Sequence, residues 1–374
     1  MFFKTFGASL GVAAVGLALG LLYGGPTGLA VVAILAVLEG SLSFDNAVVN
    51  ATVLVRMNPF WQKIFLTVGV AIAVFGMRLL FPLLIVGITA KLSPPEAIRL
   101  ALEKGDPDKH GTYGYLLHQA HPAIAAFGGV FLLLIFLDFI LEEREITWLS
   151  WLERPLARMG KLDQLSVVIT LIALALSAYE LAPSDKVSTV LLSGLLGMAT
   201  YLVVNGLGEF FETEEEEVVD GMAGADEPRR AAGGARATVQ AVGKAAFFLF
   251  LYLEVLDASF SFDGVVGAFA ITSDPIVIAI GLGIGAMFIR SLTVYLVRKG
   301  TLAEYVYLEH GALWAIGALA VLLLITIKFD VPEVVTGLIG VGFIGAALAS
   351  SIVRNRRADV GDEAAGHDRE PAAV

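Results

Sequence analysis

A succession of apolar runs, each close to the length a helix needs to cross a bilayer, limits what this chain can become more than any other feature. A hydrocarbon core about 30 Å thick takes roughly 20 mostly apolar residues in helical conformation. Ten segments meet that measure: 6-24, 27-56, 63-90, 121-141, 162-182, 187-207, 243-272, 275-297, 311-329 and 332-353. Composition agrees, since 57% of the 374 residues are hydrophobic and only 16% charged, where a soluble domain runs to about a quarter charged. The expected fold class is therefore all-α: a polytopic helical membrane protein of about ten transmembrane helices. With no Cys in the sequence, disulfides, thiolate nucleophiles and thiolate metal sites are excluded.

Lys4 ahead of the first run also fits a secretory signal peptide, but Tyr23 to Pro26 makes a poor cleavage site, so the run is expected to remain as a span. Basic residues set the orientation. With the N-terminus inside, 17 Lys and Arg fall on the cytoplasmic side and six (Lys91, Arg99, Lys104, Lys109, Lys186, Lys328) outside, while Arg78 and Arg290 lie within spans. Both termini are expected in the cytoplasm, and the location is the cytoplasmic (inner) membrane. Two segments are expected outside the bilayer: an outer insertion at 91-120 with a short helix, and a flexible, charged cytoplasmic linker at 212-242. A disordered tail is expected over 354-374. Arg229, Arg230 and Arg236 are too few, and too mixed with acids, to indicate nucleic-acid binding.

The chain also repeats itself. Ser41-Leu-Ser-Phe-Asp-Asn-Ala-Val48 corresponds to Ser259-Phe-Ser-Phe-Asp-Gly-Val-Val266 at an offset of 218, and Gly69 and Arg78 correspond to Gly281 and Arg290 at an offset of 212. Tyr115 to His118 and Asp138 match Tyr307 to His310 and Asp330 at an offset of 192. Four landmarks in one order divide the protein into a first transmembrane repeat, 1-182, and a second, 183-353. Five spans per half is an odd number, so the two copies enter the membrane with opposite polarity. That is the inverted-repeat plan of secondary transporters, whose substrate sits near the midplane where broken helices meet.

The motif segments carry the chemistry. Glu39, Asp45, Asn46 and Asn50 interrupt one apolar run, and Glu254, Asp257 and Asp263 another. Ionised carboxylates at bilayer depth cost several kcal/mol, so their default partner is a cation or a proton. A purely structural network with Arg78 and Arg290 is the competing reading. Five motif acids plus Asp138 against two arginines leave about four charges unmatched in that network. Glu39 and Asp45, like Asp257 and Asp263, are six residues apart, about 9 Å along a straight helix and on different faces. They can share one site only if the motif helices are broken, which Gly40, Ser41, Ser43, Ser259 and Ser261 would tolerate. The resulting oxygen ligands suit hard divalent ions such as manganese, magnesium or calcium. Arg78 and Arg290 are expected to pair with intramembrane acids, with Asp138 and Asp330 as candidates, while His118, His121 and His310 fit interfacial packing better than metal ligation. No HExxH, GxSxG, P-loop or strand-helix GxGxxG is present, so an enzyme is not expected.

Leu38-Glu39-Gly-Ser-Leu-Ser-Phe-Asp45-Asn46-Ala-Val-Val resembles the first signature of the TerC family of integral membrane proteins, LExxLSxDNxxV. Leu253-Glu254-Val-Leu-Asp257-Ala-Ser-Phe-Ser-Phe-Asp263, followed by Ala268-Phe-Ala-Ile-Thr272, resembles its second. The resemblance covers roughly 27-353 and implies a divergent branch of the LysE-like transporter superfamily, because Gly264-Val-Val-Gly267 stands where the family usually has Ser-Ile-Pro-Ala. It further implies a role in metal-ion homeostasis, notably manganese export, and historically tellurium resistance. Carried over residue by residue, it assigns cation coordination to Glu39, Asp45, Asn46, Glu254, Asp257 and Asp263, with Ser43, Asn50, Arg78, Asp138, Ser261 and Arg290 in support. The expected function is an inner-membrane secondary transporter exporting a divalent cation, manganese favoured, with protons as counter-ion. The metal is then cargo, no tightly bound cofactor is expected, the partners are lipid, metal ion and protons, and homo-oligomerisation is compatible. Rival readings are another cation or an amino acid as cargo, or a non-transporting membrane scaffold or assembly factor.

Overall fold

A computed structural model of the protein describes residues 2-89, 91-103, 108-162, 164-222, 241-272, 274-300 and 304-367. Among them the chain is helical throughout, with one isolated bridge between Met57 and Ala241 and no strand. Among the described residues seven helices, where ten spans were expected, are long and apolar enough to cross a membrane, and Leu165–Glu180 is a shorter apolar one. The chain is thus a multi-pass membrane protein by length and composition, with large apolar side chains such as Leu22, Val37, Tyr179 and Leu338 turned outward where lipid would meet them.

The first long helix, α1 (Phe2–Leu42), is not straight. Gly25 leaves the helical region at φ 62 and ψ -157, a conformation open to glycine, and Pro26 follows it without an N–H to continue the ladder. A straight helix would hold Gly20 and Gly28 about 12 Å apart. Here a Cβ built on Gly28 would lie 2.5 Å from the Gly20 carbonyl oxygen, so the chain doubles back at Gly25 into two antiparallel arms, 2-24 and 26-42. The sequence limit drawn between 24 and 27 falls at this turn.

After Ser43 comes α2 (Phe44–Leu54), then α3 (Pro59–Ile64), which opens a span that passes through two π-helical stretches, Phe65–Gly69 and Ile72–Leu80, into α4 (Phe81–Thr89). The segment 91-120 holds the short helix α5 (Pro94–Leu102), but α6 (Tyr113–Leu141) begins eight residues before the limit read from hydropathy. A surface helix α7 (Ser150–Met159) precedes α8 (Leu165–Glu180), α9 (Val187–Met222), α10 (Gly243–Ile271), α11 (Pro275–Lys299), α12 (Leu308–Thr326) and α13 (Glu333–His367). α9 and α13 run helically into 212-222 and 358-367, segments expected to be linker and tail; residues 223-240 and 368-374 lie outside the described residues.

The core forms around α6, whose buried Phe131, Leu132 and Leu134 pack against α9, α10 and α12. Small residues permit the closest approaches, as membrane helices without a hydrophobic drive between them require. A Cβ on Gly197 would lie 2.3 Å from the Phe127 carbonyl oxygen, and one on Gly281 2.6 Å from Leu35 Cβ. The latter contact and Gly285 against Glu39 fix the arm 26-42 parallel to α11, while Ser9, bonded to the Met287 carbonyl and to Ser291, and Gly16 against Ile284 fix the arm 2-24 antiparallel to it.

The first motif helix is interrupted at Ser43, between α1 and α2, whereas the break expected in the second needs correction. Ser43 departs from helical geometry (φ -94, ψ 20), yet the bonds Ser43 N–H to Glu39 O and Ala47 N–H to Ser43 O persist, so the first motif is distorted rather than unwound. The second is continuous from Gly243 to Ile271, and Ser259 Oγ donates to the Val255 carbonyl one turn back, which uses the hydroxyl within the helix.

Candidate functional site

The motif segments meet at mid-length and run antiparallel. Two contacts set the register, Glu39 against Gly264 and Asn46 bonded to Asp257, while Met57 forms a parallel bridge with Ala241 where the chain leaves the crossing. The first two exchange under the 218-residue repeat offset, since Glu39 corresponds to Asp257 and Asn46 to Gly264.

Two buried guanidinium groups meet the motif carboxylates, Arg78 one of them and Arg290 two. Arg78 pairs with Glu39, both almost fully buried, and its Nη1 donates to the Ala73 carbonyl at 2.6 Å. The π-helical stretch that carries Arg78 widens the turn, and the bond to a carbonyl five residues back helps hold the side chain inward. Ser43 Oγ adds a bond to Glu39 Oε1 at 3.2 Å. Arg290 donates to Asp257 Oδ2 at 3.0 Å and to Glu254 Oε1 at 3.5 Å, and its guanidinium stacks 3.8 Å from the centre of the Phe65 ring. Asn46 Nδ2 gives Asp257 a second donor at 2.7 Å. Gly69 makes room for this cluster, because a Cβ there would lie 2.7 Å from Glu254 Oε1 and 3.0 Å from Arg290 Nη1.

The structure thus brings together Glu39, Ser43, Asn46, Glu254, Asp257, Arg78 and Arg290. The side chains of Asp45, Ser261 and Asp263 lie outside those described, and no group of three His, Asp or Glu placed to hold a metal occurs among the described residues. Three described carboxylates face two guanidinium groups, and several buried polar atoms of the motif region lack partners among the described residues: Asn46 Oδ1, both polar atoms of Asn50, Arg78 Nε, Glu254 Oε2 and Arg290 Nη1. Such groups cost free energy unless something else satisfies them.

The expected partners of the arginines were Asp138 and Asp330, and neither takes that part. Asp138 accepts from the Tyr201 hydroxyl at 2.5 Å, and Asp330 is exposed after α12. The arginines instead bond to the motif acids nearest in the antiparallel crossing, a register that hydropathy does not encode. His118 is exposed, with its ring 6.3 Å from that of His121. His310 is buried and meets Glu153 at 3.2 Å.

Glu153 is the functional-looking residue that sequence reasoning missed. It is buried under the turn before α7 and accepts bonds from Trp148 N, Leu149 N and Trp314 Nε1 besides meeting His310. Its signal was present in Ser150-Trp-Leu-Glu153, the S-x-x-E spacing of a helix start. The acid satisfies donors at the helix entry and ties α7 to α12.

No curated protein and no solved structure matches the chain. A family model described as a protein of unknown function, DUF475, matches residues 44–358, and the chain belongs to that family.

Proposed function

We propose that the protein is a TerC-like secondary transporter of the inner membrane that exports a divalent metal cation, manganese favoured, built as two inverted repeats of about five spans with both termini in the cytoplasm. The observation that carries this reading is the antiparallel crossing of the two motif segments. It gathers Glu39, Asn46, Glu254 and Asp257 in a buried cluster whose oxygens are only partly satisfied. Hard divalent ions seek such oxygen sets, and intramembrane acids mark ion or proton routes. Asp45 and Asp263, one in each signature, complete the proposed ligand set with Asn46, and protons are the proposed counter-ion.

One observation favours a second cargo. Arg290 Nη1 is buried beside the cluster without a partner among the described residues, and an amino acid would present a carboxylate to it.

The test is the melting temperature of purified protein against manganese, magnesium, calcium and zinc. Ligand at 100 times its Kd stabilises the folded state by about 2.7 kcal/mol. A manganese-selective rise that vanishes in Asp45→Asn and Asp263→Asn, together with loss of transport by variants that still insert, is the expected result. No shift with any metal, or full transport by both variants, would sink the reading; a shift with free amino acids alone would favour the second cargo.

A further inference from the structure

The connection between α6 and α8 holds a pocket that the transport reading leaves unused. Its walls are the end of α6, residues 142-147, α7 and His310 from α12, and its volume is about 250 Å3. Because α6 ends at Leu141 and α12 begins at Leu308, the pocket lies where two spans leave the bilayer.

Charge pairing around the pocket is uneven. Three acids line it. Glu142 bonds to Arg144 at 2.6 Å, Glu143 pairs with Lys161 at 3.1 Å, and Glu153 accepts from Trp148 N, Leu149 N and Trp314 Nε1 besides meeting His310. Arg154 and Arg158 are left over. They stand one turn apart on α7, both line the pocket, and neither has an ion pair or hydrogen bond among the described residues. Guanidinium groups so placed present paired donors to a phosphate.

Exposed arginines are ordinarily satisfied by water, so the other side of α7 decides what they meet. Glu153, Arg154, Ala157 and Arg158 share the pocket side, while Leu152, Pro155 and Met159 fall opposite, with Trp151 at the border. Trp151 and Met159 are 75% and 53% exposed, and Leu162, just past the helix, is 63% exposed. A short helix between two spans with a bare apolar edge and unpaired arginines has the make-up of one that lies in the membrane interface, its apolar edge at the acyl boundary and its cations at the phosphates.

We propose that this pocket seats the headgroup phosphate of an anionic phospholipid between Arg154 and Arg158, with the lipid chains along the Trp151 and Met159 edge. Two unmatched positive charges favour a lipid of net negative charge over a zwitterionic one, which brings a cation of its own. Since Glu153 ties α7 to His310 and Trp314 of α12, the seated lipid braces α7 against the bundle. The inference is independent of the transported cargo.

The test uses the full-length protein in detergent. Native mass spectrometry counts retained phosphatidylglycerol, and Tm is followed against added phosphatidylglycerol, phosphatidylcholine and inorganic phosphate. Arg154→Gln with Arg158→Gln empties the pocket of its free charge, and Arg356→Gln with Arg357→Gln removes as much from exposed positions on α13. Phosphatidylglycerol alone is expected to raise the wild-type Tm. The pocket variant should lose that rise and retain several-fold less lipid, while the α13 variant keeps both. Equal retention by the two variants overturns the pocket as the site, and an equal response to phosphatidylcholine overturns the anionic headgroup. A rise with inorganic phosphate that phosphatidylglycerol fails to produce overturns the lipid in favour of a soluble anion. A lower Tm of the pocket variant before any lipid is added would make the two arginines structural and overturn the proposal as well.

Discussion

Arg78 and Glu39 form an ion pair with both side chains at most 4% exposed, so removing one partner leaves a charge with no solvent to receive it. Breaking such a pair costs about 3–5 kcal/mol, whereas replacing both members by apolar residues is often close to neutral. Arg78→Ala is therefore expected to lower stability by that amount, and Glu39→Leu with Arg78→Met to restore most of it without restoring transport. Denaturant unfolding of the single and double variants in one detergent checks this, and equal losses in both would show that the pair is not the stabilising unit. The cost of burying charge marks Glu39, Arg78, Glu254, Asp257 and Arg290 in the sequence. It does not say which arginine meets which acid, because that depends on how far one helix slides along another. Glu153 shows a different gap: as a carboxylate in a polar connection it carries no burial cost on paper, and only the folded chain reveals that four donors converge on it.

At the scale of elements, packing against α11 depends on glycine. A Cβ on Gly285 would lie 2.5 Å from Glu39 Cβ and Cγ, so Gly285→Val must displace the arm that carries Glu39. Overpacking of this kind costs typically 1–3 kcal/mol. Gly345 in α13 has nothing within 4 Å, and Gly345→Ala is expected to be neutral or to stabilise by roughly 0.5–1 kcal/mol through helix propensity. Paired Tm measurements distinguish the two. Outside the membrane, α5 depends on pH. Ser93 N and Oγ both donate to Glu96, at 2.9 and 2.6 Å, and these bonds, the hydroxyl's first, hold the Glu96 carboxyl below its ordinary range. A depressed folded-state value means support that is present above the unfolded pKa and lost as pH falls through the folded one. Amide-exchange protection of α5 should drop on acidification below the usual glutamate range, and Glu96→Gln should remove that dependence. This helix start was legible from Ser93-Pro-Pro-Glu96, while the π-helical stretches around Arg78 were not, since they arise from packing and leave no periodic signal.

For the whole molecule, the proposed orientation has the basic stretch Arg144 to Lys161 and the C-terminal end on one side and the 91-120 insertion on the other. Reporter fusions after Leu162 and Arg357 should be active in the cytoplasm, and one after Asp108 outside; the opposite pattern would invert the orientation. Apolar runs of membrane length were legible because lipid imposes one rule on every span. The lengths of α6, α9 and α13 beyond those runs were not, since helices continue past the bilayer wherever the backbone can still bond to itself. The hairpin at Gly25 has one more consequence. The family match begins at residue 44, just past the Ser43 distortion, yet the arms of α1 upstream of it cover the glycine face of α11 and hand Glu39 to Arg78. A fragment excised at the family limits would expose a bare seam of glycine and strand an arginine in the bilayer, so the minimal autonomous unit of this protein is larger than the segment by which its relatives are recognised.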